Sequence, residues 1–327
     1  LVVPIFKKGN KLDPNNYRSI SLLSVVSKIM EHFITKQLTP FLLRNNIIPP
    51  NQHGFTPGRS ISTNLLPCIN DWTLSLENHD PVDIIHIDFA KAFDKVPHEK
   101  LLIKLKHFGI NGYLHLWLSI YLKNRSFQVK VGNMLSSTKA AVSGVPQGSV
   151  LGSILFPIFV SHLSSLLTTK SSLYADGLKF CGNPTHAHQT LQTNINRQSY
   201  WNAVWKMSIN ADNCVVLHLA SNIPMCAYHL DGIVLKLISS YVDFGIKITS
   251  DLSWSSYITS ICKKAKSTLF LLSNSFTHSP ATFTKFYTLY VRPILEYGGP
   301  VWSVEYVRDR NMLESVQRYA TRIPYGR

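Results

Sequence analysis

The chain has 327 residues, 45% of them hydrophobic, which is enough for a sizeable core, and a formal net charge of +15 at pH 7. With its cations set among aromatic residues, a balance this basic points to a polyanionic partner rather than a merely solvated surface. Five scattered cysteines without a CxxC pair exclude a disulfide framework and a zinc finger and fit reduced thiols in an intracellular protein, and the most apolar run, Ile154–Val160, falls far short of the ~20 residues of a membrane span.

The opening, Leu1–Gly9, has neither an initiator Met nor a signal-peptide pattern, and both ends read as cut from something longer. Ser24–Leu43 places Val26, Ile29, Met30, Phe33 and Ile34 at helical spacing, which predicts an amphipathic helix. Pro49, Pro50, Gly54, Pro57 and Gly58 then break the chain into a structured loop that ends at Arg59. A second helix is predicted over Thr63–Asn78, and Asp83–Asp88 reads as a short strand delivering Asp88 at its end. Helices follow from Glu99 to Leu122, with a strand near Phe127–Val131. Gly152–Leu167 reads as a buried helix opening directly after a Gly-rich loop.

Ser171–Phe180 is predicted to be a β-hairpin whose tip is Ala175–Gly177. A helix from His188 to Met207 precedes a strand at Cys214–Leu219. Beyond Ser250 the pattern is nearly all helical, through Ser256–Ser273, Ala281–Leu295 and Arg310–Arg322. The predicted class is α+β, with a boundary near Leu252 between a catalytic body and a helical appendage. Cys181, His186 and His188 lie close together in sequence, but without a partner cluster they are incidental rather than a metal site.

Three ordered segments carry chemistry: IDFAKAFD (Ile87–Asp94), SGVPQGSVLG (Ser143–Gly152) and LYADG (Leu173–Gly177). Nucleotidyl transfer needs carboxylates from two separate strands, holding two divalent metals about 4 Å apart. Asp88 supplies one carboxylate and Asp176 another. Phe93 is placed to exclude a 2′-hydroxyl, with an ordinary core aromatic as the competing reading. Asp94 is assigned to helix capping rather than to metal. Val145–Gly152 supplies Gln147 and two glycines, which let backbone approach a template base closely.

With PIFKKG (Pro4–Gly9), NNYRSISLLSVVSKIME (Asn15–Glu31), NQHGFTPGRS (Asn51–Ser60) and IDFAKAFDKVPH (Ile87–His98), the chain resembles the reverse transcriptases of non-LTR, LINE-type retrotransposons, particularly the jockey- and CR1-like group. DLSWSSYITSICKKA (Asp251–Ala265), LYVRPILEYGGPVW (Leu289–Trp302) and LESVQRYATR (Leu313–Arg322) extend the resemblance over nearly the whole length. It implies a right-hand polymerase fold, with fingers and palm over residues 1–250 and an all-helical thumb over 251–327. It also implies an RNA template, a DNA primer, deoxynucleoside triphosphates, and two Mg2+ or Mn2+ held by Asp88 and Asp176. No membrane or disulfide partner is implied, and the reaction would occur at nuclear DNA.

By the same resemblance Lys7, Lys8 and Arg18 grip the incoming triphosphate, although exposed cations beside a loop are an equal reading of those residues. Lys91 and Ala92 offer backbone N–H groups to the phosphates, and Phe93 is the sugar gate. Gln147 lines the nucleotide pocket, while Arg59, Gly148 and Tyr174 belong with template and primer. Tyr241–Ile246 falls where the family grips the primer end, with its usual leucine–glycine core disrupted.

The departures are as specific as the matches. Family members end the hairpin tip in two aspartates, and Gly177 stands at the second. A motif lysine regarded as a proton donor to pyrophosphate falls at Asn213. Ser19 and Ser153 replace common prolines, and His53 and Thr56 also deviate. The expectation is therefore an impaired reverse transcriptase. A catalytically inactive RNA- or DNA-binding remnant and a decayed element fragment are the alternatives.

Overall fold

A computed structural model gives the fold, and it describes residues 1–7, 9–219, 226–276 and 279–325. The chain forms two compact units. The first comprises Leu1–Ser60, Ile84–Val216 and Cys226–Lys236; the second comprises Ile61–Asp83, Leu217–Met225 and Leu237–Arg327.

The first unit opens with an antiparallel pair, β1 (Val2–Phe6) and β2 (Tyr17–Ser21), registered from Val2↔Ser21 to Phe6↔Tyr17. Helix α1 (Val25–Arg44) follows, with Ser24 at its N-cap accepting from the Ser27 amide at 3.2 Å and so satisfying one of the orphan donors of the first turn. The helix forms where expected, but its apolar stripe faces outward: Val26, Ile29, Met30 and Phe33 are exposed. The buried face consists of Glu31, Leu38 and Leu42. Periodicity located the helix without locating the core side, because a buried carboxylate occupies a position that hydropathy assigns to solvent.

β3 (Val82–Asp88) is buried at every position until Asp88, which is half-buried. Its Val and Ile residues suit a pleated, enclosed surface. A single turn of helix, α2 (Ala92–Lys95), leads into α3 (His98–His107) and α4 (Gly112–Lys123). The helices expected from Glu99 to Leu122 are thus two, separated at Gly109 and Gly112, which take φ values of +83° and +63° that end one helix and start the next. The strand expected near Phe127–Val131 is reduced to Ser126–Phe127 and Lys130–Val131.

α5 (Gly152–Val160) is buried over its entire apolar length except at Ser153, as suits a helix hydrophobic all round. It ends well before the expected Leu167, which closes a separate 3-10 turn. β4 (Ser171–Tyr174) and β5 (Gly177–Gly182) make the expected hairpin. α6 (Pro184–Trp205) starts earlier than expected because Asn183 caps it, accepting from the Thr185 amide at 2.9 Å, with proline at the first position. β6 (Val215–Leu219) and β7 (Lys236–Ile238) complete a five-stranded sheet of order β7-β6-β3-β5-β4.

The core of the first unit gathers Ile85 and Ile87 of β3, Phe156 and Phe159 of α5, Leu101 and Leu105 of α3, and Leu191, Ile195 and Trp201 of α6. Each such side chain contributes roughly 1.5–3 kcal/mol on burial. This packing fixes β3 and β5 and hence the residues at their ends.

In the second unit, Ser240–Asp243 and Ile246–Thr249 pair through a two-residue tip in which Phe244 and Gly245 have φ of 50° and 86°. Both left-handed residues match the twist that a tight hairpin requires. The helix Ser255–Ser275 buries Tyr257, Ile258, Ile261, Cys262, Ala265 and Leu269 along one stripe. The helix Val307–Arg322 is anchored near its start by buried Asp309, which accepts from Ser255 Oγ at 2.5 Å. No helix among the described residues is long and apolar enough to cross a membrane.

Candidate active site

The hairpin register Tyr174↔Gly177 leaves Ala175 and Asp176 as a two-residue tip. The backbone demand falls on Ala175, whose φ is +55°, and not on Gly177, which lies in the strand without a positive φ. A non-glycine residue held there costs on the order of 1–3 kcal/mol and persists only when its surroundings fix it. Part of that support is the segment Asn51–Gly54, which runs beside β4. His53 N donates to Leu173 O at 2.9 Å and Leu173 N to Asn51 O at 2.8 Å, and Asn51 Nδ2 reaches Ser171 Oγ at 3.0 Å. Buried Gln52 Oε1 accepts from Ala175 N at 3.0 Å.

Asp88 ends β3, the strand beside β5, and Asp176 immediately precedes β5. The charge of Asp88 reaches Asp176. Burial raises the Asp176 pKa and the charge of Asp88 raises it further, while a hydrogen bond to its own backbone and, after it, Arg18 and Lys7 pull it back down. Lys7, Arg18, Asp88 and Asp176 therefore share one electrostatic field. Lys7 and Arg18 are exposed side chains of the β1–β2 pair, whose outer rung is closed by Lys7 N donating to Asn16 O at 2.8 Å. Lys8 lies outside the described residues. Asp88 Oδ2 accepts from Asn213 Nδ2 at 2.7 Å.

Phe93 stacks on Phe156, with centroids 4.6 Å apart, and meets Phe55 edge-on at 5.9 Å. Lys91 is the left-handed N-cap residue of α2, and its Nζ donates to Asn15 Oδ1 at 2.9 Å; Ala92 beside it is buried. Asp94 makes no capping bond at its own helix; it accepts from Ser19 Oγ at 2.8 Å. The serine that stands where a proline is common therefore provides a hydrogen bond that proline cannot.

The Gly-rich loop packs on α2 through Val145 N to Phe93 O and Gly144 N to Val96 O, both at 2.8 Å. Gln147 O accepts from Ser21 N at 2.8 Å, and Gly148 is exposed with φ +99°. The φ of +99° strains any L side chain at Gly148, and a Cβ there would also come within a tight 3.2 Å of Ser21 O, so the turn favours glycine. Arg59 is exposed, and its charge is felt by His53, whose pKa burial first and then Arg59 and Lys179 lower to about 4. Tyr174 is half-buried, one residue before the tip.

Two structural residues escaped the sequence reading. Glu31 is fully buried, and its Oε2 accepts from the amides of Val150 and Leu151 at 2.8 and 3.2 Å, while Tyr121 donates to Oε1 at 3.0 Å. Gln52 is the other. Neither carried a local signal: Glu31 stands where the apolar pattern of α1 assigns solvent, and Gln52 lies in a loop between Pro50 and Pro57. Among the described residues, no group of three or more His, Cys, Asp and Glu is placed to hold a metal.

Residues 5–271 match the family model described as "Reverse transcriptase (RNA-dependent DNA polymerase)". The chain is 27% identical to "Probable RNA-directed DNA polymerase from transposon BS" of Drosophila melanogaster, over 98% of this chain and 37% of that protein. It is also 27% identical to "RNA-directed DNA polymerase from mobile element jockey" of the same organism, over 97% of this chain and 36% of that protein. It thus spans little more than a third of these curated relatives. Among solved structures it is similar to apo telomerase from Candida tropicalis, with TM-score 0.52 and 11% identity, covering 95% of this chain and 61% of that one. The likeness shows a shared fold.

Proposed function

We propose, from the premise that this chain belongs to the reverse transcriptase family as a domain of the non-LTR retrotransposon type, that it descends from an RNA-directed DNA polymerase whose nucleotidyl transfer is impaired in this copy by Gly177. The observation carrying the reading is the placement of Asp88 and Asp176 at the ends of neighbouring strands, close enough that the Asp88 charge raises the Asp176 pKa. Like charges brought together in this way favour a cation.

Two hard oxygen donors fit Mg2+ or Mn2+. On this reading Asp88 and Asp176 hold the two divalent ions, which when bound would neutralise the charge developing on the transferred phosphoryl group. Lys7, Lys8 and Arg18 bind the triphosphate, and Lys91 and Ala92 present backbone amides to it. Phe93, held between Phe156 and Phe55, excludes a 2′-hydroxyl by bulk. Gln147 and Gly148 line the pocket, with Arg59 and Tyr174 toward an RNA template and DNA primer. Residues 1–250 act as fingers and palm and 251–327 as thumb, and the natural setting is nuclear DNA.

A second reading, an inactive RNA- or DNA-binding remnant, is favoured by Gly177 together with the Asn213 amide bonded to Asp88. Primer extension on an RNA template separates them, comparing the native chain with Gly177→Asp. A gain on restoring the carboxylate supports the polymerase reading. Retained template–primer binding with no synthesis by either chain supports the remnant.

A further inference from the structure

We propose that Gln52 is the positioning residue of Asp176: its side-chain amide holds the peptide that aims this carboxylate. The inference rests on reading Asp176 as a metal-binding carboxylate.

Gln52 is 1% exposed, on a loop whose next residue but two, Phe55, is largely open to solvent. A primary amide buried this deeply must have its polar atoms satisfied, and the choice of partners is informative. Oε1 accepts from Ala175 N at 3.0 Å and from Gly54 N at 2.8 Å, while Nε2 reaches Ala175 O at 3.4 Å. One side chain thus contacts both polar groups of the residue with the unfavourable φ of +55°. For an L-residue that conformation is disfavoured by roughly 1–2 kcal/mol.

Asp176 follows Ala175 directly, so relaxation of Ala175 to an ordinary φ would swing the carboxylate out of its place beside Asp88. The loop that carries Gln52 is itself registered on β4 by the bonds between Asn51, His53 and Leu173. Its approach is so close that a Cβ at Gly54 would lie 2.2 Å from Ala175 N. Neighbouring Phe55, at φ +57°, meets Phe93. One short segment therefore touches both the carboxylate turn and the aromatic beside the other carboxylate strand. A side chain that only filled space would not need to bond both sides of a single strained residue.

The test uses the Gly177→Asp chain as parent, with Gln52→Met, which conserves volume but cannot bond, and Gln52→Glu, which keeps an acceptor. Far-UV circular dichroism checks that each variant folds. In Gln52→Met, hydrogen exchange should show lost protection at the Ala175 amide, and Mn2+ affinity measured by electron paramagnetic resonance should fall at least fivefold. The primer-extension kcat should fall at least tenfold, with KM for deoxynucleotide within twofold. Gln52→Glu should restore the protection and most of the Mn2+ affinity. A folded Gln52→Met variant that keeps the parent's Mn2+ affinity, or its Ala175 protection, overturns the proposal while leaving the site reading intact. A parent that neither binds Mn2+ nor extends primers overturns the site reading, and the proposal with it.

Discussion

Asn213 Nδ2 donates a 2.7 Å hydrogen bond to Asp88 Oδ2, so one oxygen of the first carboxylate is engaged by a neutral amide. The adjacent Cys214 is buried and its Sγ takes the Asp88 amide at 3.4 Å, which leaves Asn213 as the exposed partner at this corner. A hydrogen bond to a charged group is worth about 1.5–3 kcal/mol. A cation seeking that oxygen must compete with it. Asn213→Ala is therefore expected to strengthen Mn2+ binding severalfold with little change in melting temperature. Titration monitored by electron paramagnetic resonance checks this, and weaker binding in the variant would show that the amide supports the site.

Glu31 joins α1 to the Gly-rich loop. Its two oxygens accept from Val150 N, Leu151 N and Tyr121 Oη, and it has no exposed surface. Removing a buried acceptor shared by several donors leaves each of them unpaired, at about 1–3 kcal/mol per group. Glu31→Ala should lower stability by about 3 kcal/mol or more in urea unfolding. Glu31→Gln, which retains one acceptor oxygen, should cost visibly less. Equal losses in the two variants would mean that volume, not hydrogen bonding, decides.

Lys104 gives the first unit a pH dependence of known sign. Trp201 Nε1 can only donate, and it meets His162 Nε2 at 2.7 Å, so the His162 proton sits on Nδ1. Nδ1 in turn faces Lys104 Nζ, which must accept and is therefore a neutral amine. Burial lowers the Lys104 pKa to about 6 and, with Lys104 beside it, that of His162 to about 4. Between about pH 6 and the usual lysine value of 10.5, the unfolded chain binds a proton that the folded chain does not, so stability rises with pH across that window. His162 extends the loss downward, from pH 6.5 toward about 4. Melting temperature should climb from pH 6 to pH 9, and Lys104→Met should flatten the climb and raise stability at pH 7 by a few kcal/mol. An unchanged slope in Lys104→Met would assign the dependence to other groups.

Binding of nucleic acid should outlast catalysis, since a charge of +15 acts on phosphates without metals. Affinity for an RNA–DNA primer duplex should fall by roughly a thousandfold between 50 and 200 mM salt if about six phosphates are neutralised. It should depend little on sequence. Fluorescence anisotropy across a salt series checks this, and salt-independent affinity would remove the polyanion interpretation.

The strand ending at Asp88 and the hairpin Ser171–Phe180 are legible in the sequence because β-branched runs and turn residues are local signals. The facing of α1 is not, because its buried side includes Glu31, whose partners lie more than 80 residues away in Tyr121, Val150 and Leu151. The strain at the hairpin tip is also hidden. The sequence places the tip at Ala175–Gly177 without saying which residue is strained; Ala175 takes the left-handed φ, and Gln52, distant in the chain, holds both its polar groups. The helices between Glu99 and Leu122 were legible from their apolar pattern, and Gly109 and Gly112 mark where one ends and the next begins.

Gly177 is the test of the whole account. Its φ is not left-handed, and an added Cβ would meet only Tyr174 O at 3.5 Å, an ordinary contact, so aspartate fits without strain. The decisive measurement is primer extension on an RNA template by the native chain, by Gly177→Asp, and by Gly177→Asp with Asn213→Lys. The native chain should extend very poorly, and restoring the carboxylate should raise the rate by on the order of a hundredfold, as regained stabilisation of several kcal/mol requires; the lysine should add to this through proton donation. Robust synthesis by the unaltered chain would contradict the account, because Asp88 and Asp176 alone would then suffice.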